Sequence, residues 1–292
     1  MGYTLRMFGL SQSKIKWISL AVFLVINLLI WQRLFSFSLR DDLKVVFLDV
    51  GQGDAVFIET KNGNQVLIDG GPNDKVLREL SKFMSFFDRS IDMIIATHPD
   101  SDHIGGLVGV LNRFDNDIYL ESGVESDTLV YSSLENTLEK EKNTRIIAKR
   151  GMIFDLGNSV QLEVLFPDGE VSGFEPNTAS IITQIKHEEV SFMLTGDSPA
   201  SIERYLVSID GKGLKSDVLK AGHHGSKTSS SEVFLGFVSP TYSVVSAEED
   251  NRYGHPHKEV LDRLSDFEIN ILETSKDGSI VFLSNGEEVR VK

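Results

Sequence analysis

The chain has 292 residues, 41% of them hydrophobic, and 29 basic against 43 acidic side chains give it a formal charge of −14. It has no cysteine, which excludes disulfides and thiolate metal ligands, so any metal must be held by His, Asp, Glu or Asn. The first 40 residues contain five Lys/Arg and no Asp/Glu, so residues 41–292 carry 24 basic and 43 acidic residues, a charge of −19; such a surface repels polyanions at long range and argues against a tight nonspecific nucleic-acid binder, but not against an enzyme whose bound metals supply local positive charge.

The N-terminal stretch has an uncharged apolar core from Trp17 to Trp31, bracketed by Lys16 and Arg33. A bilayer needs roughly 20 apolar residues; snorkelling of Lys16 and Arg33, with Leu34 and Phe35 added, makes up the length, and both tryptophans stand where interfacial aromatics belong. No small-x-small cleavage site follows the apolar run, so a retained single-pass anchor is expected rather than a signal peptide. Arg6, Lys14 and Lys16 precede the span, while Arg33 and Arg40 follow it, with Asp41 and Asp42 beside them. This slight positive-inside bias puts the N-terminus in the cytoplasm and the folded domain outside it. The chain therefore divides into a tail and anchor, 1–40, and one large domain, 41–292.

Beyond the anchor, strands and helices alternate. Residues 44–50, 55–60 and 65–69 read as three strands separated by Gly-containing turns. The spacing predicts a helix over 74–87, a buried strand over 91–97, and helices over 103–114 and 128–142. Strands are expected at 160–166, 179–187 and 190–196, a helix at 199–208, a strand at 216–221 and a helix at 231–238. A strand at 241–247, a helix at 256–266 and a hairpin from 269 to 291 complete the chain. No low-complexity linker divides the two halves, which fits one domain of two packed sheets with outer helices.

The stretch "THPDSDHIGG" (97–106) places His98, Asp100, Asp102 and His103 directly after a strand. Residues 98, 100 and 102 alternate along an extended loop and can face one way, while His103 begins a helix and is offset from them. Two groups of ligands pointing in adjacent directions suit two metal ions a few Å apart. Gly105 and Gly106 allow backbone to pack closely behind. A capped helix N-terminus is the plainer alternative, and four clustered metal-type side chains weigh against it. Two more such signals end strands: Gly196-Asp197 in "SFMLTGDS" and His223-His224 in "VLKAGHHGS". In open α/β sheets the C-terminal ends of strands converge on the site.

Taken together, "THPDSDHIGG", "LTGD" and "HHGS" resemble the metallo-β-lactamase fold superfamily. More narrowly, "FLDVGQGDAVFIE", "LIDGG", "PNTAS", "LKAGHHGSKTSSS" and "NRYGHPHKEVLDRL" resemble the C-terminal hydrolase domain of the ComEC family of DNA-uptake proteins, over about residues 43–292. One candidate span precedes this domain where that family has a long multi-span channel region. The resemblance implies a four-layer αββα sandwich behind one N-terminal transmembrane helix, and a centre of two divalent ions, Zn²⁺ or Mn²⁺. It implies that His98 and Asp100 bind one ion and Asp102 and His103 the other, that Asp197 bridges them, and that His223 completes the second site, with His224 beside it either as a further ligand or as a partner behind the ligands. The superfamily usually has His where Asp100 stands; a carboxylate hardens the site toward Mn²⁺. Asn177 lies in the region of a histidine that has no other counterpart here.

Two such ions bring the pKa of bound water from about 15.7 toward about 7, and that hydroxide can attack phosphorus or a carbonyl carbon. Asp102 and His255 are the expected catalytic side chains. His255, at the start of a helix with Pro256 in its first turn, could donate to a phosphate oxygen or protonate a leaving group; helix capping explains it equally well. Ser226 and Lys227, entering the helix at 231, could bind phosphate or simply cap that helix, and Gln52 and Asp54 could line the same cleft, though a Gly-rich hairpin turn also explains "GQGD". The reading is a membrane-anchored dinuclear phosphodiesterase or nuclease acting on DNA. A hydrolase of a small ester, lactone or nucleotide is the alternative within enzymes, and a membrane-tethered binding module the alternative outside them. Protein partners have no signature in the sequence.

Overall fold

The computed structural model describes residues 12–38 and 43–292, with side chains described for 14–32 of the first stretch. The chain divides into two compact units at residues 40 and 41. The first contains α1 (Gln12–Ser38), 27 residues long, or roughly 40 Å at 1.5 Å per residue. Its segment Lys14–Gln32 has a mean hydropathy of 1.8 and is apolar on every side, with Trp17, Leu28 and Trp31 all exposed. By length and composition it can cross a membrane. Of the residues that bear on orientation, Arg6, Arg40, Asp41 and Asp42 lie outside the described residues, as do the side chains of Arg33, Leu34 and Phe35.

The second unit is built on two sheets. The strands of the first half are β1 (Leu43–Phe47), β2 (Val56–Thr60), β3 (Gln65–Ile68), β4 (Met93–Ala96), β5 (Ile118–Glu121) and β6 (Thr144–Ile147), with helices α2 (Lys75–Leu80), α3 (Ser101–Ile104), α4 (Leu107–Leu111) and α5 (Leu129–Leu138) between them. The second half holds β7 (Ile153–Gly157), β8 (Val160–Phe166), β9 (Ile182–His187), β10 (Val190–Leu194), β11 (Val218–Lys220), β12 (Tyr242–Val245), β13 (Asn270–Glu273), β14 (Ile280–Ser284) and β15 (Val289–Val291). Its helices are α6 (Ala200–Asp210), α7 (Glu232–Val238), α8 (Lys258–Asp266) and α9 (Thr274–Asp277). The eight-stranded sheet runs β15-β14-β1-β2-β3-β4-β5-β6 and the seven-stranded sheet β13-β12-β11-β10-β9-β8-β7.

Side-chain alternation on the strands explains the layering. On β1, Val45 and Phe47 point into a core shared with the facing sheet, which contributes Leu162, Ile185, Phe192 and Val218. Val46 and the following Leu48 point the other way, against Val76 of α2, Val110 of α4 and Leu134 of α5. On the far side, Met193 and Leu219 pack on Leu206 of α6, Phe234 of α7 and Val260 of α8. Strands covered on both faces read as continuous apolar runs, which is why "VVFL" does not alternate. The architecture is the four-layer αββα sandwich, with an apolar helix ahead of it.

Several elements differ from the sequence reading. The helix expected over 103–114 is two short helices, because Gly105 and Gly106 interrupt it and the Gly106 N–H donates to Gly71 O at 3.0 Å. The helix from 74 ends at Leu80. Strands β5, β6 and β7 have no counterpart in that reading; β6 is largely exposed, and its partner β5 supplies the pairing that its own sequence does not signal. The segment expected as one hairpin is split between sheets: β13 runs parallel to β12 in the seven-stranded sheet, and only β14 and β15 form the hairpin. Helix α8 begins at Lys258, two residues later than expected, so His255 lies in the loop before it.

Candidate metal centre

The parallel pairs β3–β4 and β10–β11–β12 bring the C-terminal ends of five strands to one edge of the sandwich. Each end carries polar side chains that would be costly to bury elsewhere. Asp69 follows β3, Thr97 and His98 follow β4, Asp197 follows β10, and His223 and His224 follow β11. Asp100 stands just ahead of α3, which contains Asp102 and His103. Two glycines let this loop seat. A Cβ on Gly53, at φ 129°, would lie 2.1 Å from the Asp102 carbonyl oxygen, and one on Gly106 would lie 2.2 Å from that of Gly70. Three of these strand-end residues also adopt the left-handed backbone that non-glycine residues avoid: Asp69 (φ 60°), His223 (φ 50°) and His224 (φ 55°). Such strain persists only where the surroundings over-determine it, commonly at functional sites.

His98, His103 and His224 are all buried, and the Nε2 atom of each has no hydrogen-bond partner. His103 Nε2 and His224 Nε2 both lie 3.3 Å from Asp197 Oδ2, and His224 Nε2 lies 3.4 Å from Asp102 Oδ2. Ligand atoms of His98, His103 and Asp197 fall within 4.8 Å of one another, as do those of Asp102, His103 and His224. Asp100, nearly half exposed, reaches to 3.7 Å from His98 Nε2.

The opposite ring nitrogens are held from behind. His103 Nδ1 bonds Asp69 Oδ2 at 2.8 Å, and His224 Nδ1 bonds the Ser246 carbonyl at 2.9 Å. His98 Nδ1 lies 3.0 Å from Thr97 Oγ1 and 3.2 Å from Ser180 Oγ. Asp69 also accepts from Thr97 N and Thr97 Oγ1. Such partners fix ring orientation and tautomer in metal sites.

Behind Asp197 sits a fully buried lysine. Lys220 Nζ contacts the Asp54 carboxylate, donates to Gly196 O at 3.0 Å and lies 3.5 Å from Asp197 Oδ1. Burial opposes ionisation of Asp54, but Lys220 first and then His224 bring its pKa down to about 2. Burial likewise opposes charge on Asp197, yet His224, His103 and Lys220 hold it well below the usual carboxylate range. Burial drives His98 well below the ordinary imidazole value. In His103, burial is outweighed by Asp197 and Asp69, and the ring is held well above its ordinary value.

Unpartnered buried acceptors and imidazole nitrogens aimed at one another are rare in native proteins. Here they converge as an oxygen and nitrogen donor set without sulfur, a set that suits first-row divalent cations. The residues present fit divalent cations.

A sequence model described as the metallo-beta-lactamase superfamily matches residues 48–248. The chain belongs to the metallo-beta-lactamase superfamily. As a member it is a metal-dependent hydrolase. Among its relatives, ComE operon protein 3 of Bacillus subtilis (strain 168) is 29% identical over 262 residues, covering 84% of this chain and 33% of that protein. Competence protein ComA of Neisseria gonorrhoeae is 30% identical over 244 residues, covering 83% of this chain and 32% of that protein. The chain thus spans about a third of the length of these relatives. The metallo-beta-lactamase fold protein YhfI from Bacillus subtilis superposes with a TM-score of 0.55 at 12% identity, over 82% of this chain and 98% of that one, a likeness of fold alone.

The superfamily motif residues do not all lie where the sequence suggested. His224, not His223, shares the cluster with Asp102 and His103; His223 Nε2 is 3.7 Å from Asp197 Oδ2 and its ring is partly exposed. The consecutive left-handed residues turn the first imidazole outward and the second inward. Asp54 does not line the open cleft: it is 3% exposed and paired with Lys220. Ser226 is buried and hydrogen-bonded to Thr228 Oγ1 at 2.9 Å, whose hydroxyl lies 3.3 Å from His223 Nδ1. Lys227 is exposed beside them. Asn177 lies on the short 3-10 turn before Ser180, its buried Oδ1 unpaired. Gln52 borders a cavity that reaches Asp102. The His255 ring is centred 5.5 Å from that of His223 and 6.3 Å from that of His224. Partial burial, then those two rings, lower its pKa to about 4, so at neutral pH it is a neutral hydrogen-bond donor rather than an imidazolium.

Sequence reasoning does not single out Asp69 or Lys220. The signals are there: an aspartate ending the strand in "LIDGG", and a lysine inside the apolar run "VLKAG".

Proposed function

We propose that this chain is a membrane-anchored phosphodiesterase that cleaves DNA at a two-cation centre. The observation that carries the reading is the convergence of the buried Nε2 atoms of His98, His103 and His224 on Asp197. His98, with Asp100 at the rim, would hold one cation; Asp102, His103 and His224 would hold the other; Asp197 would stand between them. Divalent cations bound there supply Lewis acidity and, from water, a nucleophile available near neutral pH.

The chain's own residues do the rest. Asp69 and Ser246 hold the His103 and His224 rings with their Nε2 atoms facing inward. Asp102, partly exposed, is the carboxylate that faces both His224 and the open cavity, so it can accept a hydrogen bond from an attacking water. His255 can donate to a phosphate oxygen next to the centre. The domain's negative charge keeps polyanions away from the general surface, so a phosphodiester gains most where the cations lie. The choice of DNA is supported by the motifs shared with the DNA-uptake family and by the relatives at 29% and 30% identity, one of them named a competence protein. The apolar α1 supports a single-pass anchor, and the slight positive-inside bias of the flanking sequence supports a domain on the extracytoplasmic side.

The test is incubation of the detergent-solubilised chain with labelled single-stranded and duplex DNA and Mn²⁺. Cleavage that Asp102→Ala and His103→Ala each abolish is expected. Intact DNA across a series of cations and pH values would refute the nuclease reading.

A further inference from the structure

A cavity of about 520 Å³ opens against Asp102, within the size range of small-molecule subsites. It is walled by the loop after β1, which carries Gln52, by the loop after β3, which carries Asn73, and by the loop after β12, which carries Asn251 and Tyr253. Its charges do not suit a phosphate. The ammonium of Lys75 is held by Asp49 at 2.8 Å, the guanidinium of Arg252 lies 4.7 Å from the centre of the Tyr253 ring and contacts its hydroxyl, and Glu248, Asp250 and Asp102 contribute carboxylates. What remains is amide side chains and an aromatic ring. Gln52 Oε1 accepts from Glu248 N at 3.3 Å, while its Nε2 is buried without a partner. Tyr253 is 47% exposed and stacks toward the centre on His255, at 5.7 Å and 21° between planes.

We infer that this cavity is a subsite for an unpaired nucleobase next to the phosphate under attack, with Tyr253 as its stacking face and the Gln52 amide as a donor to its edge. The inference rests on the phosphodiesterase reading above and deepens it. Asp102 belongs to both the cavity wall and the metal cluster, so a base in the cavity and a phosphate at the centre can belong to one nucleotide. Arg252 is exposed, and moving it from the tyrosine ring to let a base in disturbs nothing packed. A base can reach an aromatic face this way only when it is out of a duplex stack, so the substrate is a single strand or a frayed end.

The experiment compares a labelled single-stranded pentanucleotide with an abasic strand carrying the same phosphates, using the full chain in detergent. Binding is read by fluorescence anisotropy in calcium, and cleavage in manganese. The wild-type chain should bind the base-bearing strand about tenfold more tightly than the abasic one, the scale of one stacked base. Tyr253→Ala should erase that difference, Tyr253→Phe should retain it, and Gln52→Leu should reduce it, with circular dichroism confirming that each variant is folded. Equal binding of the two strands by the wild type, or a difference that survives in Tyr253→Ala, would overturn the inference. A base-dependent difference in binding without cleavage of any strand would support the subsite and sink the phosphodiesterase reading instead.

Discussion

Replacing Lys220 by methionine should destabilise the domain strongly, and removing the charge of Asp54 as well should restore most of the loss. The Lys220 ammonium and the Asp54 carboxylate are in contact and almost completely buried. Without the ammonium, the nearest ring nitrogens left to Asp54 are His224 Nδ1 at 3.4 Å and His103 Nδ1 at 3.9 Å, both already engaged by other acceptors. Breaking a buried pair from one side costs about 3–5 kcal/mol, because a charge is left uncompensated, whereas replacing both partners by neutral groups is often close to neutral. At about 2–4 °C per kcal/mol for a domain of this size, Lys220→Met should lower the unfolding midpoint by roughly 6–20 °C. The double variant Lys220→Met/Asp54→Asn should recover more than half of that. Both tryptophans lie in α1, so the assay is far-ultraviolet circular dichroism, which follows the sheets. An unchanged midpoint in Lys220→Met, or a double variant no more stable than the single one, would refute the assignment of Lys220 as the compensating charge.

Asp69→Asn keeps the shape of the group that holds His103 Nδ1 but removes its charge, and should weaken cation binding by about 10–100-fold while leaving the fold intact; isothermal titration with Mn²⁺ or Zn²⁺ measures it. Adding a cation at about 100 times its dissociation constant should stabilise the chelated protein by about 2.7 kcal/mol, and a midpoint that does not rise would show that the cluster binds no ion. Residues 43–292 alone should be folded and soluble without detergent, since the three large cores lie within them, whereas the full chain should stay with membranes through an alkaline wash. Release of the full chain by that wash would count against α1 as an anchor.

The site was more legible in the sequence than the path of the chain. Clustered His and Asp after an apolar strand betray themselves because nothing else in a core needs them, and His98, His103 and Asp197 do meet in space. The choice between His223 and His224 was not legible, since it depends on two left-handed residues in succession that only the loop's packing imposes. Lys220 was hidden for a related reason: a lysine in an apolar strand declares its role only when Asp54, far earlier in the chain, is seen beside it. The same holds for the strands. The strand at 160–166 was readable from its own apolar residues, which face the core between the sheets, while β6 is short, largely exposed and fixed by pairing with β5. The placement of β13 and β14 in different sheets is a long-range decision that a hairpin-like spacing conceals.

Equilibrium dialysis of the full chain against Mn²⁺ or Zn²⁺, with bound metal counted by atomic emission in the wild type and in Asp197→Ala, asks whether His98, His103, Asp197 and His224 close around divalent cations. Two bound ions per chain are expected in the wild type, with tight binding lost when Asp197 is removed; a wild-type chain that retains no ion, or an Asp197→Ala variant that binds as the wild type does, would show that they do not.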